Sequence, residues 1–214
     1  MKKLTVMMIL AIFTFQVADA QVFKLGIKAG IGFCSLKFED ITGINTGTAT
    51  YDLVTGETVT GYHLGLQGRV KVAMLFIQPE LYFNAGGGTV EQVVSGGSNK
   101  LLHITYNRID LPILVGVKAG PLRINAGPAG SWFLSESHEL GDLPGMADDY
   151  KLFDKKLTWG FQAGLGVDIL KRVTLDARYE GSLSKLGETT TIGTRTFALD
   201  ARPSQWLISV GVFF

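Results

Sequence analysis

From Trp206 to Phe214 the chain sets Trp206, Ile208, Val210, Val212 and Phe214 against Leu207, Ser209, Gly211 and Phe213. Successive side chains of a β-strand point to opposite faces, so this spacing builds one continuous apolar face and ends it on an aromatic residue. The same period of two recurs in seven earlier runs: Phe23–Phe33, Gly61–Lys71, Leu75–Asn84, Tyr106–Lys118, Pro121–Phe133, Thr158–Ile169 and Val173–Ser182. One face of each run is aliphatic and aromatic. The other carries Gly, Gln, Ser, Thr and charged residues. Helical stripes at i, i+3 and i+4 are lacking.

The spacing between runs narrows the fold further. Val72–Met74, Ala119-Gly120 and Leu170–Arg172 are tight turns, whereas Leu36–Thr60, Ala85–Thr105, Leu134–Leu157 and Leu183–Ser204 are long, polar loops. Each run is close to the ~9–11 residues that a tilted strand needs to cross a bilayer. Hydrophobic residues make up 46% of the chain, yet no stretch after residue 20 is long and apolar enough for a membrane helix. A transmembrane barrel hides its apolar residues at alternate positions in this way, and pairs short turns at one end with long loops at the other. The pattern predicts an all-β fold: an eight-stranded antiparallel up-and-down transmembrane β-barrel over residues 21–214.

The first 20 residues read as an export signal. Lys2 and Lys3 precede an apolar run from Leu4 to Val17, and Ala18-Asp-Ala20 fits a small-x-small cleavage site. Without Lys2, Lys3 and Asp19, the 20 basic and 19 acidic residues become equal in number. A neutral chain lacks the basic footprint of a nucleic-acid-binding protein. Cys34 is the sole cysteine and is read as a space-filling strand residue, so no intramolecular disulfide is possible. These features place the protein in the cell outer membrane with both termini in the periplasm. Outer-membrane lipid is then one partner. The barrel-assembly machinery, reading the C-terminal strand, is a second, and a protein partner at the loops is possible.

Alternation alone also fits a soluble barrel with an apolar cavity. The glycines decide between the two. Gly26, Gly30, Gly32, Gly65, Gly116, Gly127, Gly160, Gly164 and Gly166 share the charged face, where a narrow lumen needs small residues to make room for long ones. Phe23, Phe33, Tyr62, Phe83, Trp132, Trp159, Tyr179 and Trp206 lie near strand ends, as interfacial girdles do. The apolar face therefore meets lipid. The lumen receives a polar network of Lys28, Arg69, Glu80, Arg108, Asp110, Arg123, Asp176, Arg178 and Glu180, with Lys24 and Asp168 on the same face. A two-residue turn at Ala73-Met74 would set Arg69 opposite Gln78 and diagonal to Glu80. Such charges are tolerated when paired, and they predict a plugged interior. Pro79, Pro112 and Pro128 each remove a ladder donor and predict bulges or weakened pairing.

Little in the chain suggests chemistry. His63, His103 and His138 form no HExxH or paired-ligand spacing, and one cysteine cannot build a thiolate zinc site. Gly86-Gly-Gly-Thr89 lacks the lysine of a phosphate-binding loop and is read as part of a surface loop. Ala147-Asp-Asp-Tyr150 lacks calcium-loop spacing. His63, near the outer end of its run on the lumen face, is the one candidate for a lipid-modifying enzyme, and a hydrogen-bonded lumen residue is the plainer reading. No cofactor is expected.

The chain also resembles the PorT-like outer-membrane β-barrel domain proteins. The likeness rests on Ala18-Asp-Ala-Gln21, Lys24-Leu-Gly-Ile-Lys-Ala-Gly-Ile31, Gln78-Pro-Glu-Leu-Tyr-Phe83, the terminal aromatic strand and above all Tyr106-Asn-Arg-Ile-Asp-Leu-Pro-Ile-Leu-Val-Gly-Val-Lys118. It spans nearly the whole mature chain and implies the barrel fold. The named member is linked to a secretion and gliding apparatus. The reading that results is an integral outer-membrane barrel with a structural, binding or assembly role. A small lipid-modifying enzyme and a narrow channel are the alternatives.

Overall fold

The structure, a computed structural model, describes residues 23–37, 41–45, 50–94, 99–138, 157–170, 172–184, 189–192, 195–198 and 202–214. The candidate signal over residues 1–20 and the acidic pair at 148–149 lie outside them. The strands are β1 (Phe23–Lys37), β2 (Ile41–Asn45), β3 (Thr50–Thr55), β4 (Val59–Val72), β5 (Leu75–Val94), β6 (Lys100–Ala119), β7 (Leu122–His138), β8 (Leu157–Ile169), β9 (Val173–Ser182), β10 (Thr189–Ile192), β11 (Arg195–Ala198) and β12 (Arg202–Phe213).

Eight of these close on themselves in the order β1, β4, β5, β6, β7, β8, β9, β12, with β12 returning to β1. Every seam is antiparallel. This is the predicted eight-stranded up-and-down barrel. Val72 pairs with Leu75, so Ala73 and Met74 form the two-residue turn, with Ala73 at φ 56°. Gly120, at φ 59°, opens the β6–β7 turn. A positive φ is what two-residue hairpins need to follow the strand twist.

The loop end departs from the sequence expectation. The segment Ala85–Thr105, read as a loop, is mostly strand: β5 and β6 each run 20 residues, about twice what the bilayer requires. Gly86-Gly-Gly88 lies inside β5 rather than in a loop. β7 likewise continues to His138, and β1 to Lys37. Beyond Ala85, where β4 leaves, the edge of β5 is taken over by β3, which pairs from Thr55↔Val90 to Tyr51↔Val94 and carries β2 on its other side. β10 and β11 make a separate hairpin. Past the membrane a barrel strand no longer needs an apolar outer face, so a polar, glycine-rich sequence can continue the ladder where it reads as loop.

The prolines weaken the ladder without shifting it. Pairing of β4 with β5 is interrupted at Pro79, of β5 with β6 at Pro112, and of β6 with β7 at Pro128, each time for two residue pairs. The register is the same on both sides of every gap, so no bulge forms at any of them. The one register shift in the barrel seams lies instead at Asn107/Arg108.

Side-chain orientation follows the alternation. Over Leu75–Asn84, exposed and buried residues alternate without exception. The outward aliphatic belt includes Leu66, Ile77, Ile113, Ile124, Leu165 and Val210. Trp132, Trp159 and Trp206 are exposed toward the loop end, and Trp206 packs edge-on to Tyr179 with centroids 5.3 Å apart. On β6 the outward face turns polar above Ile109, at Asn107, Thr105 and His103. At that level the inward face becomes apolar: Cys34, Leu36, Val90, Leu102, Ile104, Tyr106 and Phe133 are buried together over the charged lumen.

Candidate functional site: the charged lumen

The barrel brings all nine residues of the predicted network inside and buries each. Seven side chains form a closed circuit of contacts across the lower lumen. Glu80 meets Arg178 at 2.8 Å, Arg178 meets Asp176 at 3.1 Å, and Asp176 meets Arg123 at 3.1 Å. Arg123 continues to Asp168 at 2.7 Å and Asp168 to Arg69 at 3.0 Å. Arg69 then donates to Gln78 at 2.6 Å, and Gln78 donates to Glu80 at 2.5 Å. Lys28 joins at Glu80, 2.9 Å away, and Lys118 at Asp168. The circuit ties strands on opposite walls, β5 to β9 and β8 to β4, and links β9 to β7 past β8. Arg69 lies opposite Gln78, the position that the Ala73-Met74 turn implied.

A second cluster lies toward the loops. Arg108 pairs with Asp110 and Glu180, and Asn84 donates to Asp110 at 2.9 Å. Gln162 donates to Glu180 at 2.7 Å and to the Tyr82 hydroxyl. Buried ion pairs contribute little net stability against hydrophobic replacements, because desolvation offsets their attraction. Removing one partner is costly, and the arrangement therefore holds seven of the eight barrel strands, all but β12, in their relative positions.

Two glycines show why the lumen face is glycine-rich. A Cβ at Gly166 would lie 2.5 Å from Arg123 Nη2 and 2.6 Å from Asp176 Oδ1. One at Gly164 would lie 2.6 Å from Arg178 Cγ. Their missing side chains are the space that the arginines occupy.

Sequence reasoning put Lys24 and Asp168 on this face without singling them out. Asp168 joins Arg69, Arg123 and Lys118, and Lys24 faces Arg69 in register. It left Phe76 unplaced and gave no role to Phe213, set on the face opposite the apolar one; both are buried at the turn end. The Arg69 guanidinium lies 5.3 Å and 4.6 Å from their ring centres. Phe213 is the inward neighbour of Phe214, and the phase of the last strand carries that information. His63 is buried beside Ser209, with Nε2 2.8 Å from the hydroxyl, and its ring lies 5.4 Å from that of Tyr82. Its Nδ1 has no hydrogen-bond partner among the described residues. Cys34 donates to Gln205 Oε1 at 3.3 Å. No group of three or more His, Cys, Asp or Glu among the described residues is placed to hold a metal ion.

A closed eight-strand ring with an aliphatic exterior, aromatic outer rim and ionic interior defines the class of small outer-membrane barrels. The model of the outer membrane protein beta-barrel domain matches residues 18–188, well over half of the chain, and the protein belongs to that family. It is an outer-membrane β-barrel protein. No curated protein matches the chain. Among solved structures, the attachment invasion locus protein Ail of Yersinia pestis superposes with a TM-score of 0.48 at 13% identity, over 91% of this chain and 100% of that one. Neisserial surface protein A gives a TM-score of 0.49 at 12% identity, over 89% of this chain and 97% of that one. OprG from Pseudomonas aeruginosa gives 0.46 at 13% identity, over 92% and 99%.

Proposed function

We propose that this barrel is a non-conducting, non-enzymatic membrane scaffold whose working surface is its loop end. The observation that carries this reading is the circuit from Glu80 through Arg178, Asp176, Arg123, Asp168, Arg69 and Gln78, which crosses the lumen between opposite walls. An eight-stranded barrel is just wide enough for its own side chains to fill. Above the circuit, Leu36, Leu102 and Ile104 form a buried apolar layer. Purified protein in planar bilayers is expected to give no conductance steps of porin size; such steps would overturn the reading.

The loop end extends from the membrane as a β2–β3–β5–β6 sheet, and loops on a rigid scaffold commonly carry binding. We place this sheet outside the cell and both termini in the periplasm, with residues 1–20 removed on export and the C-terminal strand recognised by the assembly machinery. Protease added to intact cells should then cut at the loop end only. Affinity capture of the intact barrel is the test for an assembly partner, and the PorT-like motifs are the reason to look for one. The enzyme reading draws least support. His63 and Ser209 are both buried in the lumen, away from the lipid-facing belt, and among the described residues no group orients the imidazole at Nδ1 as nucleophile–base chemistry demands.

A further inference from the structure

Charge is spread unevenly along the lumen. At the turn end, Lys24 faces Arg69 across the β1–β4 seam, and Lys118 faces Arg123 across the β6–β7 seam. Lys71 follows Arg69 on the same face of β4. Like charges directly opposite on neighbouring strands repel, and here two such pairs meet at one mouth. A single carboxylate, Asp168, serves Arg69, Arg123 and Lys118 together. Asp176, the other acid within reach of Arg123, is shared with Arg178.

The arginines are also under-supplied with acceptors. Arg69 Nη2 and Arg123 Nη1 are buried with no hydrogen-bond partner among the described residues. The mouth is open to solvent beside them, since the Lys118 side chain is 21% exposed and that of Asp168 10%. Val70 and Val72, which flank Lys71, are exposed on the outer face with Leu75, so the rim of the mouth lies where the apolar belt ends and headgroups begin.

We propose that this turn-end mouth is an anion site that takes a phosphate group, supplied either by a phospholipid headgroup or by free phosphate. Phosphate fits the donor set: its several acceptor oxygens can meet the ammonium groups of Lys71 and Lys118 at once while the arginines behind raise the local potential. The site lies at the opposite end from the proposed binding loops and involves no passage through the lumen.

The test uses the full barrel refolded in dodecyl maltoside micelles, which carry no phosphate of their own, with the urea unfolding midpoint as the readout. Inorganic phosphate is titrated at constant ionic strength against sodium chloride, and in parallel phosphatidylglycerol is introduced into the micelles. The midpoint is expected to rise saturably with phosphate, with phosphatidylglycerol, or with both. A rise with the lipid alone identifies the headgroup as the source, and a rise with both means that the site also takes phosphate from solution. Lys71→Gln/Lys118→Gln, whose side chains reach solvent, should still fold. Losing a charge-assisted hydrogen bond should raise its half-saturating concentration about tenfold or more. If neither source shifts the midpoint beyond chloride, or the double variant responds like the parent, the proposal is wrong. Conductance does not enter this readout, so its failure would leave the plugged barrel standing.

Discussion

Replacing Glu80 is the sharpest perturbation of the lumen. Its carboxylate is buried, accepts from both Lys28 and Arg178 at 2.8–2.9 Å, and is one link of the circuit. Glu80→Gln keeps the shape but leaves Lys28 in the low-dielectric interior without its counter-charge, and Arg178 with Asp176 alone. Breaking a buried pair in this way costs about 3–5 kcal/mol. With a urea dependence of about 2 kcal/mol per molar, the unfolding midpoint falls by about 1.5–2.5 M. Removing the whole triad with Lys28→Met/Glu80→Met/Arg178→Met leaves Asp176 paired with Arg123 and strands no charge. That variant should recover most of the loss, since apolar replacement of buried ionic groups is often neutral or stabilising by about 1–4 kcal/mol. The assay is reversible urea unfolding in vesicles, followed by tryptophan fluorescence and by gel mobility with and without boiling. If Glu80→Gln moves the midpoint by less than about 0.5 M, too little for a broken buried pair, the lumen is hydrated rather than desolvated. A triple variant as weak as the single one would also refute the reasoning.

Other outcomes follow from the two faces of the wall. Ile113→Arg, in the lipid-facing belt, should cost about 2–4 kcal/mol in bilayers, whereas Thr105→Arg, outward but above the belt, should cost about 1 kcal/mol or less; equal losses would misplace the belt. Gly166→Val drives a methyl group into Arg123 and Asp176, and overpacking of this kind costs about 1–3 kcal/mol, measurable as a lower unfolding midpoint. Leu102→Ala, in the apolar layer, should cost about 2–5 kcal/mol; a negligible change would mean that the extended β5–β6 hairpin adds nothing to the fold.

Within the bilayer the sequence was nearly transparent, and the reason is physical. Lipid outside and ion pairs inside force a strict alternation, which Leu75 to Asn84 displays residue by residue. The nine network residues could be placed on the lumen side from phase alone. Which acid meets which base could not, because partners such as Glu80 and Arg178 lie 98 positions apart and meet only after closure. Above the membrane the rule inverts. His103 and Thr105 face water while Leu102, Ile104 and Tyr106 turn inward, so a reading tuned to apolar-outside residues sees a loop. The period of two runs on through Leu102, Ile104, Tyr106 and Arg108, and it is the one signal that could have revealed the longer strands. For a binding partner the chain offers no comparable signal.

The three proline gaps give the wall a direction. They fall on consecutive seams, at Pro79, Pro112 and Pro128, whereas the seams on either side of β1 run through 12 residue pairs each without a break. The junction of first and last strands, which closes the ring, is thus among the best-stitched. The cylinder is stiff around its closure and compliant across β4 to β7, so breathing motions, lipid-driven distortion and the first exchange of backbone amides with solvent should all concentrate on that flank, directly beneath the sheet that β2 and β3 extend.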